Sequence, residues 1–475
     1  MERLTPDICV IGGGAAGLSV AAGAAALGVS VVLIERRRMG GECLHTGCVP
    51  SKALLAAAKR AHDMRTGDVF GVHAAEVRVD FARVRAHVRS AIDAIAPVDS
   101  AERFRGLGVR VIEGEARFKD RQTVGVGDEI EIAARRTVIA TGSVPSVPPI
   151  LGLHDGAYFT NETIFDLDVL PSHLVIIGAG AVGLEMAQAF RRFGSGVTVV
   201  DAGPALAQDD PECVEILLAQ LEREGVVVHT GVTVTRIVHA IGHVGVAIMR
   251  DGKEEMVGGS HLLVAAGRTP VLDGLNLEAA GIRHDEKGIV VGRNLKTSSS
   301  RVYAIGDVAA GQPRFTHAAN HQAGLVLRNA LFRQPVRIDP ETMPHAIFTD
   351  PELAQTGLTE AQARARGRSI HVLRRAFHDS DRAQAERQTH GHVKIVADAK
   401  GRIFGATIVG PHAGELISAW TLATAQGLTL RSFTDLIVPY PTLFETGKRA
   451  ALDFYLPRLT DPLLRRIIGW VRVFG

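Results

Sequence analysis

Two apolar runs with the same grammar stand out in the hydrophobic and polar pattern. Asp7-Ile8-Cys9-Val10-Ile11 runs into Gly12-Gly13-Gly14-Ala15-Ala16-Gly17. An alanine-rich stretch then reaches about Gly28, and Val29-Ser30-Val31-Val32-Leu33-Ile34 closes on Glu35. Later, His173-Leu174-Val175-Ile176-Ile177 runs into Gly178-Ala179-Gly180-Ala181-Val182-Gly183, and Val197-Thr198-Val199-Val200 closes on Asp201. Each reads as strand, glycine turn, helix, strand, acid, which is a mononucleotide-binding unit. One such pattern is weak evidence. Two, each flanked by strands and ending in an acid, imply two dinucleotides or one dinucleotide domain inserted into another. Further strand–glycine turns occur at Thr137–Gly142, His261–Pro270 and Val302–Asp307. From about Pro344 the texture changes. Charged helices such as Glu360 to Arg366 alternate with β-rich runs such as Val393-Lys394-Ile395-Val396, predicting a separate α+β domain.

Composition bounds the function. A chain of 475 residues is too long for one core and suggests about three domains. The 51 glycines suit several tight phosphate-binding turns, and a formal net charge of +2 gives no nucleic-acid footprint. Met1 to Pro6 enters a strand directly with no apolar signal region, and no run is long and apolar enough to span a bilayer. The expectation is a cytoplasmic protein.

Two of the four cysteines, Cys43 and Cys48, fall in Gly40-Gly41-Glu42-Cys43-Leu44-His45-Thr46-Gly47-Cys48-Val49-Pro50-Ser51-Lys52. A disulfide between them closes a small ring, which restricts few chain conformations and adds little stability. Its better use is to be opened and closed, and in a reducing cytosol a close pair reads as catalytic rather than structural. The alternatives are packed thiols or half of a metal site. A metal site wants further Cys or His nearby, and only His45 is close, so no metal is expected. Cys9 in the first strand and Cys213 in a later helix read as packed thiols.

These residues together resemble the flavin-dependent pyridine nucleotide–disulfide oxidoreductases, which include dihydrolipoamide dehydrogenase, glutathione reductase and mercuric reductase. The resemblance spans about residues 5 to 457. It rests on the cysteine box, both glycine fingerprints, Ala140-Thr141-Gly142, Gly306-Asp307 and Phe348-Thr349-Asp350-Pro351-Glu352. It implies an α/β fold with two nested Rossmann-type FAD and NAD(P) domains plus a C-terminal α+β dimerisation domain. The FAD domain takes 1–150 and 271–340, the NAD(P) domain 151–270, the dimerisation domain 341–458, and a basic tail 459–475. A homodimer is implied, each active site being completed by the partner.

The resemblance also implies roles. Gly12, Gly14 and Gly17 let the backbone approach the FAD pyrophosphate, and Glu35 accepts from the adenosine ribose. Asp307 binds the ribityl chain, Lys52 lies beside the flavin ring, and Ala116, Thr141 and Gly142 contact FAD. Gly178, Gly180 and Gly183 take the nicotinamide cofactor, with Val234 and Gly267 at further contact positions. Asp201 accepts from a free 2′-hydroxyl and repels a 2′-phosphate. Ala202-Gly203-Pro204 follows with no arginine for a phosphate, so NAD(H) is favoured over NADP(H). Glu185 is expected to pair with Lys52 beneath the flavin. Cys48 is implied as the charge-transfer thiolate facing the flavin and Cys43 as the interchange thiol that meets substrate. A helix starting near the box, with Pro50 close to its first turn, favours a thiolate. His45 stands where the family more often has Asn, either tuning the thiols or packing.

One departure matters. The family's disulfide reductases carry His-Pro-Thr near the C-terminus, the His moving protons for the interchange thiol and a Glu orienting it. This chain reads Tyr440-Pro441-Thr442-Leu443-Phe444-Glu445. Glu445 remains, but a phenol with pKa near ~10 is a poor base at neutral pH, and general-base help of roughly 10²–10⁴-fold is at stake. Mercuric reductase also has tyrosine here, yet it ends in a further Cys pair, whereas no Cys follows Cys213. The leading expectation is therefore an FAD-dependent oxidoreductase coupling NAD(H) to a thiol/disulfide-type substrate. Alternatives are a mercuric-reductase-like reductase of metal ions or quinone-like acceptors, or a redox-sensing flavoprotein with incidental turnover. The tail, with Leu, Ile, Trp and Val interleaved with three arginines, suits either a helix docked on the dimer or peripheral contact with an anionic membrane.

Overall fold

A computed structural model describes residues 1–459 and 462–474. Two compact units emerge, one formed by Met1–Ala202 with His229–Pro340, the other by Gly203–Val228 with Glu341–Gly475.

In the first unit, five parallel strands lie in the order Val302–Ala304, Arg136–Ile139, Ile8–Ile11, Val31–Glu35, Arg110–Glu113. Val10 faces Leu33 on one side and Val138 on the other. Alternate residues serve opposite faces. Ile8, Val10 and Leu33 pack with the helices Ala15–Ala26 and Thr316–Phe332. Cys9, Ile11 and Val32 pack with Phe118, Val124 and Ile132 of an antiparallel layer. Burial on both faces is why these strands read as unbroken apolar runs rather than alternating ones. A second parallel set repeats the plan with Gly196–Val200, His173–Ile177 and His261–Val264 side by side. Its covering layer is the antiparallel sheet Thr233–Ala240, His243–Arg250, Lys253–Gly259.

The second unit holds a five-stranded antiparallel sheet in the order His345–Ile347, Glu352–Gly357, Ile403–Gly410, His392–Ala397, His371–Ala376. Trp420 of the helix Ala413–Gln426 is buried in its core and stacks on Phe433 at 3.8 Å. The segment 203–228, counted with the nicotinamide-type domain from sequence, groups with this unit. Its helix Pro211–Arg223 packs on Glu352–Gly357 and Ile403–Gly410. Buried Lys394 fastens it, with Nζ 2.8 Å from Asp210, 2.9 Å from Glu212 and 3.1 Å from Glu360. Burial pushes the Cys9 thiol up to about 12 and raises that of Cys213 as well, which marks both as inert packing thiols.

No helix among the described residues is long and apolar enough to cross a membrane. Of the tail 459–475, residues 460, 461 and 475 lie outside the described residues, and Pro462–Val471 forms a helix.

Candidate active site

The first glycine turn ends the strand Ile8–Ile11. Gly12 takes φ +109°, and a Cβ on Gly17 would fall 1.8 Å from Gly12 O, so strand and helix meet at a separation only glycine permits. The helix Ala15–Ala26 begins at Gly14 with no side-chain cap among the described residues and no acid in its first turn. Its first N–H groups and positive dipole end therefore suit a pyrophosphate. Glu35 accepts from Gly13 N–H at 2.5 Å and Arg37 N–H at 2.6 Å, which fixes its carboxylate beside that turn. Asp201 does the same for the second turn, accepting from Ala179 N–H at 2.6 Å. The helix Ala181–Phe193 likewise starts at Gly180 without a side-chain cap or an acid in its first turn. These donor sets fit two dinucleotides.

Around the first turn sit the other residues expected to hold FAD. Thr141 Oγ1 donates to Val271 O at 2.8 Å, and Gly142 follows with φ +70°. Ala116 opens the strand Ala116–Phe118. Asp307 Oδ2 accepts from Ser143 Oγ at 2.6 Å. Of the nicotinamide-side positions, Val234 lies in Thr233–Ala240, and Gly267 takes φ +113° with its carbonyl accepting from Ser146 N–H at 2.9 Å.

The cysteine box packs directly on the first glycine turn. Gly40 and Gly41 both take positive φ, and a Cβ on Gly41 would come 2.7 Å from Gly14 Cα. The short helix Gly41–His45 carries Cys43, and Cys48 is the first residue of the helix Cys48–Arg65, with Pro50 in its first turn. The two sulfurs are within hydrogen-bonding reach and their acidities are split. The hydrogen bond from Cys43, with others from Thr316 and the charge of Lys52, holds Cys48 at about 6. The same bond, together with burial, pushes Cys43 upward. A thiolate at a helix N-terminus beside a lysine is the expected physical outcome. Lys52 Nζ in turn donates to Glu185 Oε2 at 2.7 Å, joining the cysteine helix to the second glycine helix through a nearly buried carboxylate. His45 Nε2 lies 2.9 Å from Met39 O, so that nitrogen is engaged by its own loop.

Several residues here were not singled out from sequence. Thr316 Oγ1, at the start of the helix Thr316–Phe332, is 3.5 Å from Cys48 Sγ. Glu42, beside Cys43, forms an ion pair with Arg268 and accepts from Asn161 Nδ2 at 2.9 Å. Arg268 Nε donates to Ser143 Oγ at 2.7 Å and lies 3.6 Å from Asp307 Oδ2. A continuous polar chain thus runs from the short helix Gly41–His45 to Asp307. Burial pushes the Glu42 carboxyl up to about 7 despite Arg268, with Asp307 and Cys48 adding to the effect. Glu42 and Arg268 both lie inside motifs legible in the sequence, but their meeting across 226 positions is not.

Tyr440 and Glu445 belong to the second unit. Tyr440 is 69 % exposed, and its Oη donates to Asp381 Oδ2 at 3.0 Å. That bond and the Asp381 charge raise the phenol above its ordinary value, making it a still weaker acid. Glu445 accepts weakly from Thr442 N–H at 3.5 Å and lies 3.9 Å from Arg449.

Known proteins show the family. The family profile for pyridine nucleotide-disulphide oxidoreductase matches residues 6–323, and that family's dimerisation domain matches 343–451. A mercuric reductase of Bacillus cereus is 35% identical over 451 residues, covering 94% of this chain and 71% of that protein. A dihydrolipoyl dehydrogenase of Thermus scotoductus is 36% identical over 466 residues, covering 94% and 97%. The Cu(II) complex of RclA, an HOCl-induced flavoprotein disulfide reductase of Escherichia coli, superposes with a TM-score of 0.83 at 27% identity, covering 95% of this chain and 99% of that one. With two nucleotide cradles, a polarised thiol pair packed on the first of them and a match to the family's dimerisation domain, the chain belongs to the pyridine nucleotide–disulphide oxidoreductases and is an FAD-dependent oxidoreductase.

Proposed function

We propose that this enzyme passes electrons between NAD(H) and a thiol/disulfide-type substrate through Cys43 and Cys48. The observation that carries the reading is the split acidity of the pair, with Cys48 held at about 6 and Cys43 pushed up. FAD, when bound by residues of 1–150 and 271–340, supplies the two-electron exchange between nicotinamide and sulfur. The protein's groups do the rest. Gly12, Gly14 and Gly17 seat the pyrophosphate, Glu35 the adenosine ribose and Asp307 the ribityl chain, with Ala116, Thr141 and Gly142 alongside. Lys52, fixed by Glu185, and the hydroxyl of Thr316 hold negative charge on Cys48 Sγ. With the pair reduced, the Cys43 sulfur attacks an acceptor disulfide while its proton passes to the leaving sulfur, which departs as one thiol. The Cys48 thiolate then attacks Cys43 Sγ, closing the Cys43–Cys48 bond and expelling the second sulfur as a thiolate that takes its proton from solvent.

Within 151–270, Gly178, Gly180, Gly183, Val234 and Gly267 receive the nicotinamide cofactor. NAD(H) is the preferred form because the Asp201 carboxylate, held at the turn by Ala179 N–H, accepts from a 2′-hydroxyl and repels a 2′-phosphate. The enzyme works in the cytosol as a homodimer through 341–458.

A second reading, reduction of a metal ion or quinone-like acceptor, is favoured by Tyr440. Its hydroxyl is spent on Asp381 and its acidity lowered, so proton transfer at Cys43 lacks the usual base. Soft-metal or quinone acceptors demand less of that base, and mercuric reductases and a copper-complexed flavoprotein stand among the similar proteins.

Anaerobic titration of the FAD-loaded enzyme with NADH tests the core of both readings. A long-wavelength thiolate-to-flavin band is expected, and it is lost in Cys48→Ser. Unchanged band and turnover in that variant sink the sulfur mechanism. A panel of lipoyl protein, glutathione disulfide, Hg²⁺, Cu²⁺ and quinones, each with NADH and NADPH, separates the two readings. A band with turnover on none of them points to a redox sensor instead.

A further inference from the structure

The C-terminal helix is an exposed apolar feature that the electron-transfer reading leaves without a use. Pro462–Val471 is ten residues long, and none of its described residues is buried. At helical spacing Leu463, Ile467, Trp470 and Phe474 form one row, and Leu464, Ile468 and Val471 form the next. Arg465, Gly469 and Arg472 line the opposite side, with Arg466 at the flank. Trp470 is 68 % exposed and Phe474 74 %, their rings edge-on at 5.1 Å. The chain's other tryptophan, Trp420, is 1 % exposed in its core. The family's dimerisation match ends at residue 451, before this helix begins.

Charge decides what such a face is for. Residues 462–474 contain three arginines and no acid. They complement a surface of negative headgroups. Ten residues are too few to span a bilayer, so the helix must lie parallel to the surface. Trp and Phe at headgroup depth, with arginines extended toward the phosphates, is the arrangement such helices adopt.

We propose that the helix Pro462–Val471 is a peripheral anchor that seats in the headgroup layer of an anionic membrane. Apolar burial of the Leu463 and Leu464 rows supplies part of the binding, and Arg465, Arg466 and Arg472 supply the preference for negative lipid. The anchor contributes none of the thiols or nucleotide-binding residues, so it changes where the enzyme acts and not its intrinsic turnover.

The test uses the full-length FAD-loaded enzyme with phosphatidylcholine vesicles, with and without about one third phosphatidylglycerol. Trp470 is the reporter, since Trp420 is already sequestered. The expected result is a blue shift of tryptophan emission and co-sedimentation with the anionic vesicles only. Each Arg→Gln change at 465, 466 or 472 weakens binding about fivefold, and the triple change on the order of 100-fold. High salt weakens it similarly. Ile467→Glu abolishes binding while NADH-driven flavin reduction stays unchanged. Absence of a shift and of sedimentation overturns the proposal. So does equal binding to neutral vesicles, or emission that is already blue-shifted without lipid and changes with protein concentration, which would mean that a second copy covers the face.

Discussion

The two glycine turns of the first unit are near copies in backbone and differ in what rests on them. Gly12 and Gly178 take φ +109° and +117°. A Cβ on Gly17 would fall 1.8 Å from Gly12 O, and one on Gly183 would fall 1.9 Å from Gly178 O. Each closing acid accepts from the N–H just after its first glycine, Glu35 from Gly13 and Asp201 from Ala179. At the next position the likeness ends. Gly14 is covered by Gly41 of the cysteine box, whereas a Cβ on Gly180 would meet nothing within 4 Å. On the proposed reading, the same cradle serves a flavin–sulfur centre in one case and an open nucleotide site in the other. The glycine fingerprint therefore identifies a phosphate seat, and the segment packed on it assigns the chemistry.

The largest effect that can break this comparison lies at the packed segment. Cys48→Ser should lower thiol-dependent turnover on the order of 10⁴-fold, as removal of a reacting nucleophile does, while flavin reduction by NADH persists. In the parent enzyme the thiolate signature should follow Cys48. The thiolate form is the acidic group's charged form, so the band is present above about 6 and fades as pH falls through that value. A band constant from pH 5 to 8 contradicts the assignment.

The two turns can be opposed directly. Gly17→Ala forces strand and helix apart at a cost of roughly 3 kcal/mol and should yield protein that loses FAD, read from the ratio of flavin to protein absorbance. Gly183→Ala makes the same clash at the second turn but should retain FAD and lose reduction by NADH, with dithionite still reducing the flavin. If both variants lose FAD equally, the functional division between the turns fails.

A smaller effect is expected where the short helix Gly41–His45 is tied to Asp307. Arg268→Ala leaves Glu42 and Asp307 uncompensated. Because these groups are partly exposed, the loss should be roughly 1–3 kcal/mol, measured by thermal unfolding of the FAD-loaded enzyme, with a weakened thiolate band. A variant with parental stability and band shows that the chain of contacts from Glu42 to Asp307 is idle.

The smallest change is at the closing acid of the open site. Asp201→Asn should shift the NADPH-to-NADH ratio of kcat/KM by about tenfold toward NADPH, as loss of one charge facing a phosphate predicts at ~1.4 kcal/mol. No shift means that Asp201 does not face the 2′ position.

Much of the fold was legible because local rules and burial agree. Ile8–Ile11 and His173–Ile177 are buried on both faces and so read as unbroken apolar runs. Turns that require glycine show glycine, and a cysteine pair in a glycine-rich box has few other uses. Legibility failed where meaning depends on contacts across the sequence. Glu42 and Arg268 are unremarkable until the strand Arg268–Pro270 pairs with Ser143–Pro145 and carries the guanidinium to the short helix Gly41–His45. Thr316 looks like a helix-start residue until that helix abuts Cys48. The helix Pro211–Arg223 follows the second nucleotide unit in sequence, but Lys394 holds it to the antiparallel sheet.

Two nucleotide cradles, a close thiol pair, a tyrosine where a histidine is usual and a basic apolar tail can all be read along the chain. These are local facts, written in residue type and short spacing. Only folding packs Gly41 of the cysteine box on Gly14 and brings Thr316 to Cys48. It also turned the Tyr440 hydroxyl to Asp381. Hydrogen bonds, burial and electrostatic fields act through space over a few ångströms, and folding rather than chain order brings those neighbours together.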